Sequence, residues 1–442
     1  MVRNAKLALA IVLVALAAAA FAVMFRATLG FVVGTLGGSN IVAMVDHLPL
    51  WARIGLPALG GLGAGLLALV IVKQRGESGV GYVMEAIVLG RARVPLLRSA
   101  LQAVASWLAI ATGNSLGREG PLIQFGAAAG EGARRWLRLD DAHARLVLAA
   151  GVAAGFAAAY NAPIAAALFV LELVTGVVVL EAAVPVMLAA VIATIVTRVA
   201  VGSGPLYTMR EFAITEPWEL LGYAGLGLIC APVGVLFLRI LGRTEGWWRT
   251  LPMPVRPAIG GAACGVILCF LPQVAGNGFE EVTAILDGRV AIAGVVMLLI
   301  AKPLGTAASV GSGNPGGVFT PTLLIGACLG MLYALGLHQL FGDAIAPPGG
   351  YVLVGLAATL AATTHAPLMS TILACELSGD YALVLPLLLG CALAAGVARR
   401  LYVDSVYTAE LTRRGVRWRL TLDGRRVIEN RPEPVILPTS DL

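Results

Sequence analysis

Charge is what this chain has least of. Asp, Glu, Lys and Arg make up only 13% of its 442 residues, against 59% hydrophobic residues. A soluble domain carries about a quarter charged residues, so a water-soluble globular protein of this size is excluded. The mean hydropathy of +0.88 makes the bilayer its solvent. Cysteine is also sparse: Cys230, Cys264, Cys269, Cys328, Cys375 and Cys391 stand singly in apolar runs, with no CxxC pair. A disulfide scaffold and a zinc site are therefore not expected, and neither is any other metal or cofactor. No basic face is interleaved with stacking aromatics, which argues against nucleic acid as a partner.

Apolar runs are abundant but uneven. The first, Leu7 to Phe25, follows Arg3 and Lys6 and is long enough to span a membrane as an uncleaved first helix. Further runs fall near 52–72, 97–112, 121–137, 145–180, 183–201, 217–241, 257–271, 290–310, 318–341, 351–376 and 382–398. Several are short or broken by Gly, Pro and a lone acid. Broken helices are expected, and these persist at membrane depth only where the freed backbone is buried in protein or lines a polar cavity. Close helix packing is available, for example at Gly61-x-x-x-Gly65. The basic excess (31 basic against 25 acidic residues) gathers in short loops and at Arg399, Arg400, Arg413, Arg414, Arg417, Arg419, Arg425 and Arg426. By the positive-inside rule this places the C-terminus in the cytoplasm.

The chain repeats itself. Residues 117–130 (GREGPLIQFGAAAG) and 317–330 (GVFTPTLLIGACLG) share Gly117/Gly317, Pro121/Pro321, Gly126/Gly326 and Gly130/Gly330 at an offset of 200. NAPIAAALFVLEL at 161–173 and HAPLMSTILACEL at 365–377 share Ala-Pro and, nine residues on, Glu-Leu, at an offset of 204. Two ordered matches at nearly equal offsets indicate a duplicated half of about 200 residues, an arrangement that in transporters surrounds a central site. The expected organisation is a cytoplasmic start and first transmembrane helix at 1–50, membrane repeats at 51–205 and 206–410, and a short cytoplasmic tail at 411–442.

Gly117-Arg118-Glu119-Gly120-Pro121 reads as a helix start, with exposed N–H groups and the positive end of the helix dipole available to an anion. The Glu119 carboxylate either occupies that site until an external anion displaces it, caps the helix, or pairs with Arg118. In the second half Gly311 to Pro321 (GSGNPGGVFTP) requires an unwound stretch, and Phe319 holds the slot of Glu119. A third break, Gly76-Glu77-Ser78-Gly79-Val80-Gly81, offers the Ser78 hydroxyl to an anion or is an ordinary loop. Tyr407 is similarly open, because tyrosines often mark the membrane interface. Glu172 and Glu376 lie inside apolar helices, and their repeat-related positions favour a structural role in accepting backbone N–H bonds at a break. His365, aligned with Asn161, reads as a satisfied polar group.

Together these segments resemble the CLC chloride channel and transporter family over about residues 50–410. GREGP at 117–121 and GGVFTP at 316–321 match its signatures, and the GESGVG loop matches loosely; the THAPLMST stretch at 364–371 and DSVY at 404–407 look most like its bacterial ClcB branch. The resemblance implies an all-α polytopic membrane protein, an inverted repeat of two halves with many tilted and re-entrant helices. It also implies a homodimer in the bacterial inner membrane with one anion pathway per chain. Glu119 would be the gate. Ser78 and Tyr407 would coordinate chloride through their hydroxyls, the Val318 and Phe319 amides would contribute from the second half, and Gly117, Arg118 and Gly120 would frame the site. Chloride or another small anion is the expected bound species, held by dipoles without a full countercharge.

Two positions depart from the family. Proton-exchanging members carry an internal acid one residue after the LFxxE glutamate, where this chain has Leu173 after Glu172; Gly81 stands where the family has proline. The expected function is chloride permeation gated by Glu119, influenced by voltage and pH and channel-like or loosely coupled, with chloride/proton antiport as the alternative. The 35 residues after Tyr407 leave no room for the paired nucleotide-binding modules of larger relatives, so control through them is not expected. An enzyme is not expected. An intramembrane serine protease built on Gly76-Glu77-Ser78-Gly79 with His365 as base would leave the duplication around GREGP unexplained.

Overall fold

The computed structural model describes residues 2–73, 79–90, 93–176, 180–207, 216–248, 250–413, 418–420, 426–428 and 435–437. Eight of the described helices are long and apolar enough to cross a membrane. The first half contains α1 (Val2–Thr35), α2 (Ile41–His47), α3 (Leu50–Lys73), α4 (Val80–Leu89), α5 (Leu96–Ala111), α6 (Glu119–Leu137), α7 (Asp141–Tyr160), α8 (Pro163–Leu168), which widens into a π-turn at Phe169–Val174, and α9 (Leu180–Val201). The second contains α10 (Glu219–Trp248), α11 (Val255–Phe270), α12 (Phe279–Leu286), α13 (Ile292–Gly311), α14 (Phe319–Phe341), α15 (Pro348–Thr364), α16 (Pro367–Ser378) and α17 (Val384–Leu401). A short α18 (Thr408–Arg413) closes the helical body. Beyond it three short strands, β1 (Trp418–Leu420), β2 (Arg426–Ile428) and β3 (Val435–Leu437), pair antiparallel in the tail.

The breaks have local causes. The run at 145–180 divides at Asn161 and that at 351–376 at His365, both in the left-handed region with φ of 59° and 60°. Each ends its helix by donating its N–H four residues back, to Ala157 and Ala361 respectively. A proline two residues later, Pro163 or Pro367, starts the next helix where its missing N–H costs nothing. His365 thus caps by backbone geometry rather than as a satisfied side chain: its Nε2 is buried without a hydrogen-bond partner among the described residues. The first helix also runs beyond the expected Leu7–Phe25, because nothing between Val2 and Thr35 breaks it.

The halves repeat each other's internal contacts and touch reciprocally. Within its own half Asn114 Nδ2 donates to the Pro57 carbonyl, as Asn314 Nδ2 does to the Pro257 carbonyl, each at 3.0 Å. A methyl group on Gly61 would lie 2.1 Å from the Pro257 oxygen, and one on Gly261 would lie 2.1 Å from that of Pro57. The backbones of α3 and α11 touch there, which only glycine permits. Glu172 accepts N–H bonds from Leu368 (3.0 Å) and Met369 (2.6 Å), while Glu376 accepts from Ile164 (3.0 Å) and Ala165 (2.8 Å). Each carboxylate therefore caps the first turn of its counterpart's broken helix, as its repeat-related position suggested. Residue i touching j′ while j touches i′ is the pattern of a two-fold relation, and the halves form the inverted repeat.

Candidate functional site

The two glycine-rich breaks meet at the local two-fold. Gly117 and Gly317 exchange backbone hydrogen bonds, N to O at 2.7 and 2.8 Å, as an isolated antiparallel bridge. From this bridge α6 and α14 set out with their N-termini facing inward. Their equivalent first residues, Glu119 and Phe319, carry different side chains, and both are buried, each at 1% exposure.

Glu119 does not cap its own helix through its side chain alone. Its Oε1 accepts the Phe319 N–H at 2.9 Å, and its Oε2 accepts the Thr320 hydroxyl at 3.1 Å, so the first-half carboxylate sits at the N-terminus of the second-half helix. Thr320 Oγ1 also lies 3.0 Å from the Tyr160 hydroxyl, linking both halves in one polar chain. Among the described residues Arg118 makes no ion pair with Glu119. Its guanidinium lies over the Phe279 ring, 5.3 Å from the centroid. Phe319 packs against Phe156 and Tyr160 and walls one side of the site.

A cavity of about 270 Å³ opens on Glu119. Gly120, Gly317, Val318 and Tyr407 line it, together with Gln124, Glu245 and Glu410. Tyr407 is 8% exposed, and its ring meets Phe169 edge-on at 5.9 Å. The Val406 N–H, bound to the Thr363 carbonyl at 2.9 Å, fixes its approach. Ser78 lies outside the described residues. Its neighbour Gly79 stands at the N-cap of α4 and donates its N–H to Gln124 Oε1 at 3.0 Å. Gly117 belongs to the bridge, while Arg118 points to Phe279.

The arrangement is a pocket of helix-terminal N–H and hydroxyl donors at the meeting point of two inverted halves, filled by a carboxylate from the chain itself. Such a pocket stabilises negative charge with dipoles. The family model described as "Voltage gated chloride channel" matches residues 60–399. The chain belongs to this CLC family. It is 40% identical to a putative ClcB-like chloride channel protein of Ralstonia nicotianae, covering 91% of this chain and 95% of the relative. It is 36% identical to the voltage-gated ClC-type chloride channel ClcB of Escherichia coli, covering 83% and 89%. Among solved structures it is similar to a slow cyanobacterial Cl−/H+ antiporter, with a TM-score of 0.81 and 25% identity over 92% of this chain and 98% of that one. CLC proteins are transporters and channels, and anion transport across a membrane is the activity of the family.

Sequence reasoning passed over several residues that the structure brings together. Thr320 and Tyr160 were hidden because their partnership spans 160 positions. Lys302, fully buried, donates to the Val274 and Gly276 carbonyls at 2.9 Å each and pins the loop before α12. A lone lysine in the apolar run at 290–310 was the available signal. Glu410 follows Tyr407 by three residues, a spacing that puts it nearly one helical turn on.

Proposed function

We propose that the protein conducts chloride across the bacterial inner membrane through a pathway gated by Glu119, influenced by voltage and pH and channel-like or loosely coupled to protons. The observation that carries this reading is the Glu119 carboxylate on the Phe319 amide: an anion already occupies the pocket, so a permeating anion must displace it. Protonation removes the charge that holds it there. Flux should therefore rise as the pH bathing Glu119 falls. Tyr407, Val318 and Phe319 form the anion-binding surface with Ser78, framed by Gly117, Arg118 and Gly120. The proposal includes a homodimer with one pathway per chain and a cytoplasmic C-terminus, supported by the arginines closing α17.

Leu173 supports loose coupling, because a hydrocarbon side chain carries no proton. Strict chloride/proton antiport is the second reading, favoured by the likeness to a Cl−/H+ antiporter. Parallel recording of chloride efflux and proton uptake in proteoliposomes separates them. Chloride efflux without uphill proton uptake is expected; stoichiometric proton movement driven by a chloride gradient would establish antiport instead. Glu119→Ala should leave the pathway open and abolish the proton dependence that Glu119 carries.

A further inference from the structure

The cavity that opens on Glu119 holds another carboxylate at another helix start. Glu410, on α18, lines the same space as Glu119 and Tyr407. A methyl group on Gly79 would stand 3.3 Å from Glu410 Oε1, and one on Gly81 would stand 2.8 Å from Oε2. The carboxylate therefore lies over the first residues of α4, the ten-residue helix that begins at Val80. Gly79 precedes that helix with φ of 119°, a conformation that suits glycine. Gly81 has the same dependence: a side chain at 81, proline included, would claim the volume that Glu410 fills. In this chain the missing side chain at 81 leaves the room that Glu410 occupies.

The parallel with Glu119 lies within the molecule. Each carboxylate comes from elsewhere in the chain, reaches the N-terminus of a helix it does not belong to, and faces the same cavity. We propose that Glu410 is a second titratable gate on the anion path. Ionised, it holds the place of an anion at the start of α4; after taking a proton from cavity water it gives that place up. This deepens the proposed function and rests on it. Among the described residues, the other ionisable groups facing this space are Glu119 from α6, Glu245 from α10, and Tyr402 and Tyr407 beside α18, while α4 itself carries Glu85. A like-charged neighbour makes ionised Glu410 a stronger barrier to an incoming anion, so neutralising it favours binding.

The test is chloride binding by isothermal titration calorimetry on the purified full-length protein, with Glu119→Gln as background so that its titration is absent. In that background, chloride affinity should fall about tenfold between about pH 5 and about pH 8. Adding Glu410→Gln should hold the change within about twofold. Gly81→Ala in the same background should flatten the profile likewise, since its methyl displaces only the mobile end of Glu410. An undiminished pH dependence in both double variants would overturn the proposal while leaving chloride binding in place. Absence of chloride binding at every pH in the Glu119→Gln background would overturn the transport reading, and the second gate with it.

Discussion

The two halves of this molecule share a backbone plan and differ in chemistry where they meet. Asn114 and Asn314, Gly61 and Gly261, and Glu172 and Glu376 make mirrored contacts: each asparagine bonds a proline carbonyl of its own half, while each glycine and glutamate touches or bonds the other half as its counterpart does. At the centre the mirror fails: Glu119 begins α6, Phe319 begins α14. A symmetric frame brings two helix N-termini face to face, and the asymmetric side chains decide what lies between them. One half supplies a carboxylate and the other supplies the amide and hydroxyl that hold it. The frame and the proposed gate should therefore respond differently to substitution, matched in the first case and unmatched in the second.

Substitutions in the frame should hurt the halves equally. Gly61→Ala and Gly261→Ala each force a methyl group against a backbone carbonyl, a contact relieved only by moving helices apart. Each should destabilise by about 3 kcal/mol, near the top of the range for overpacking. Thermal unfolding in detergent checks this, and one tolerated member would break the symmetry argument. Glu172→Gln and Glu376→Gln come next. In each variant the amide oxygen keeps one of the two backbone N–H groups and the amide NH2 faces the other, a loss of about 2 kcal/mol with chloride flux retained in the folded fraction. A flux defect confined to Glu172→Gln, with unchanged stability, would move that residue from the frame to the proton path. The smallest effect belongs to the caps. His365→Gly relieves a left-handed residue and should stabilise by about 1 kcal/mol. Asn161→Gly should gain less, because it also removes the acceptor of Arg198 at 2.9 Å.

Much of the frame was legible before any coordinates. Pro and Glu are infrequent enough in apolar runs that their recurrence at offsets of 200 and 204 exposed the duplication. The same offset relates Asn114 to Asn314 and Pro57 to Pro257, yet those single matches carry no signal until the contact between them is seen. Helices α4 and α12 are ten and eight residues long, too short for an apolar run to announce them. Their starts are nonetheless where the cavity and its neighbouring loop are shaped. At the site, GREGP and GGVFTP pointed to Glu119 and Phe319 because glycine-flanked helix starts have a recognisable spelling. Thr320 and Glu410 had none, since their importance lies in which distant residue they reach.

Bromide anomalous diffraction from crystals of Glu119→Gln tests the competition between carboxylate and anion most directly. In the native protein Glu119 Oε1 stands 2.9 Å from the Phe319 nitrogen. With the charge removed, a bromide peak should appear beside that nitrogen, and the substituted side chain should have moved out of the pocket. Bromide bound only elsewhere, with the neutral amide side chain at position 119 still seated on the Phe319 N–H, would contradict the account.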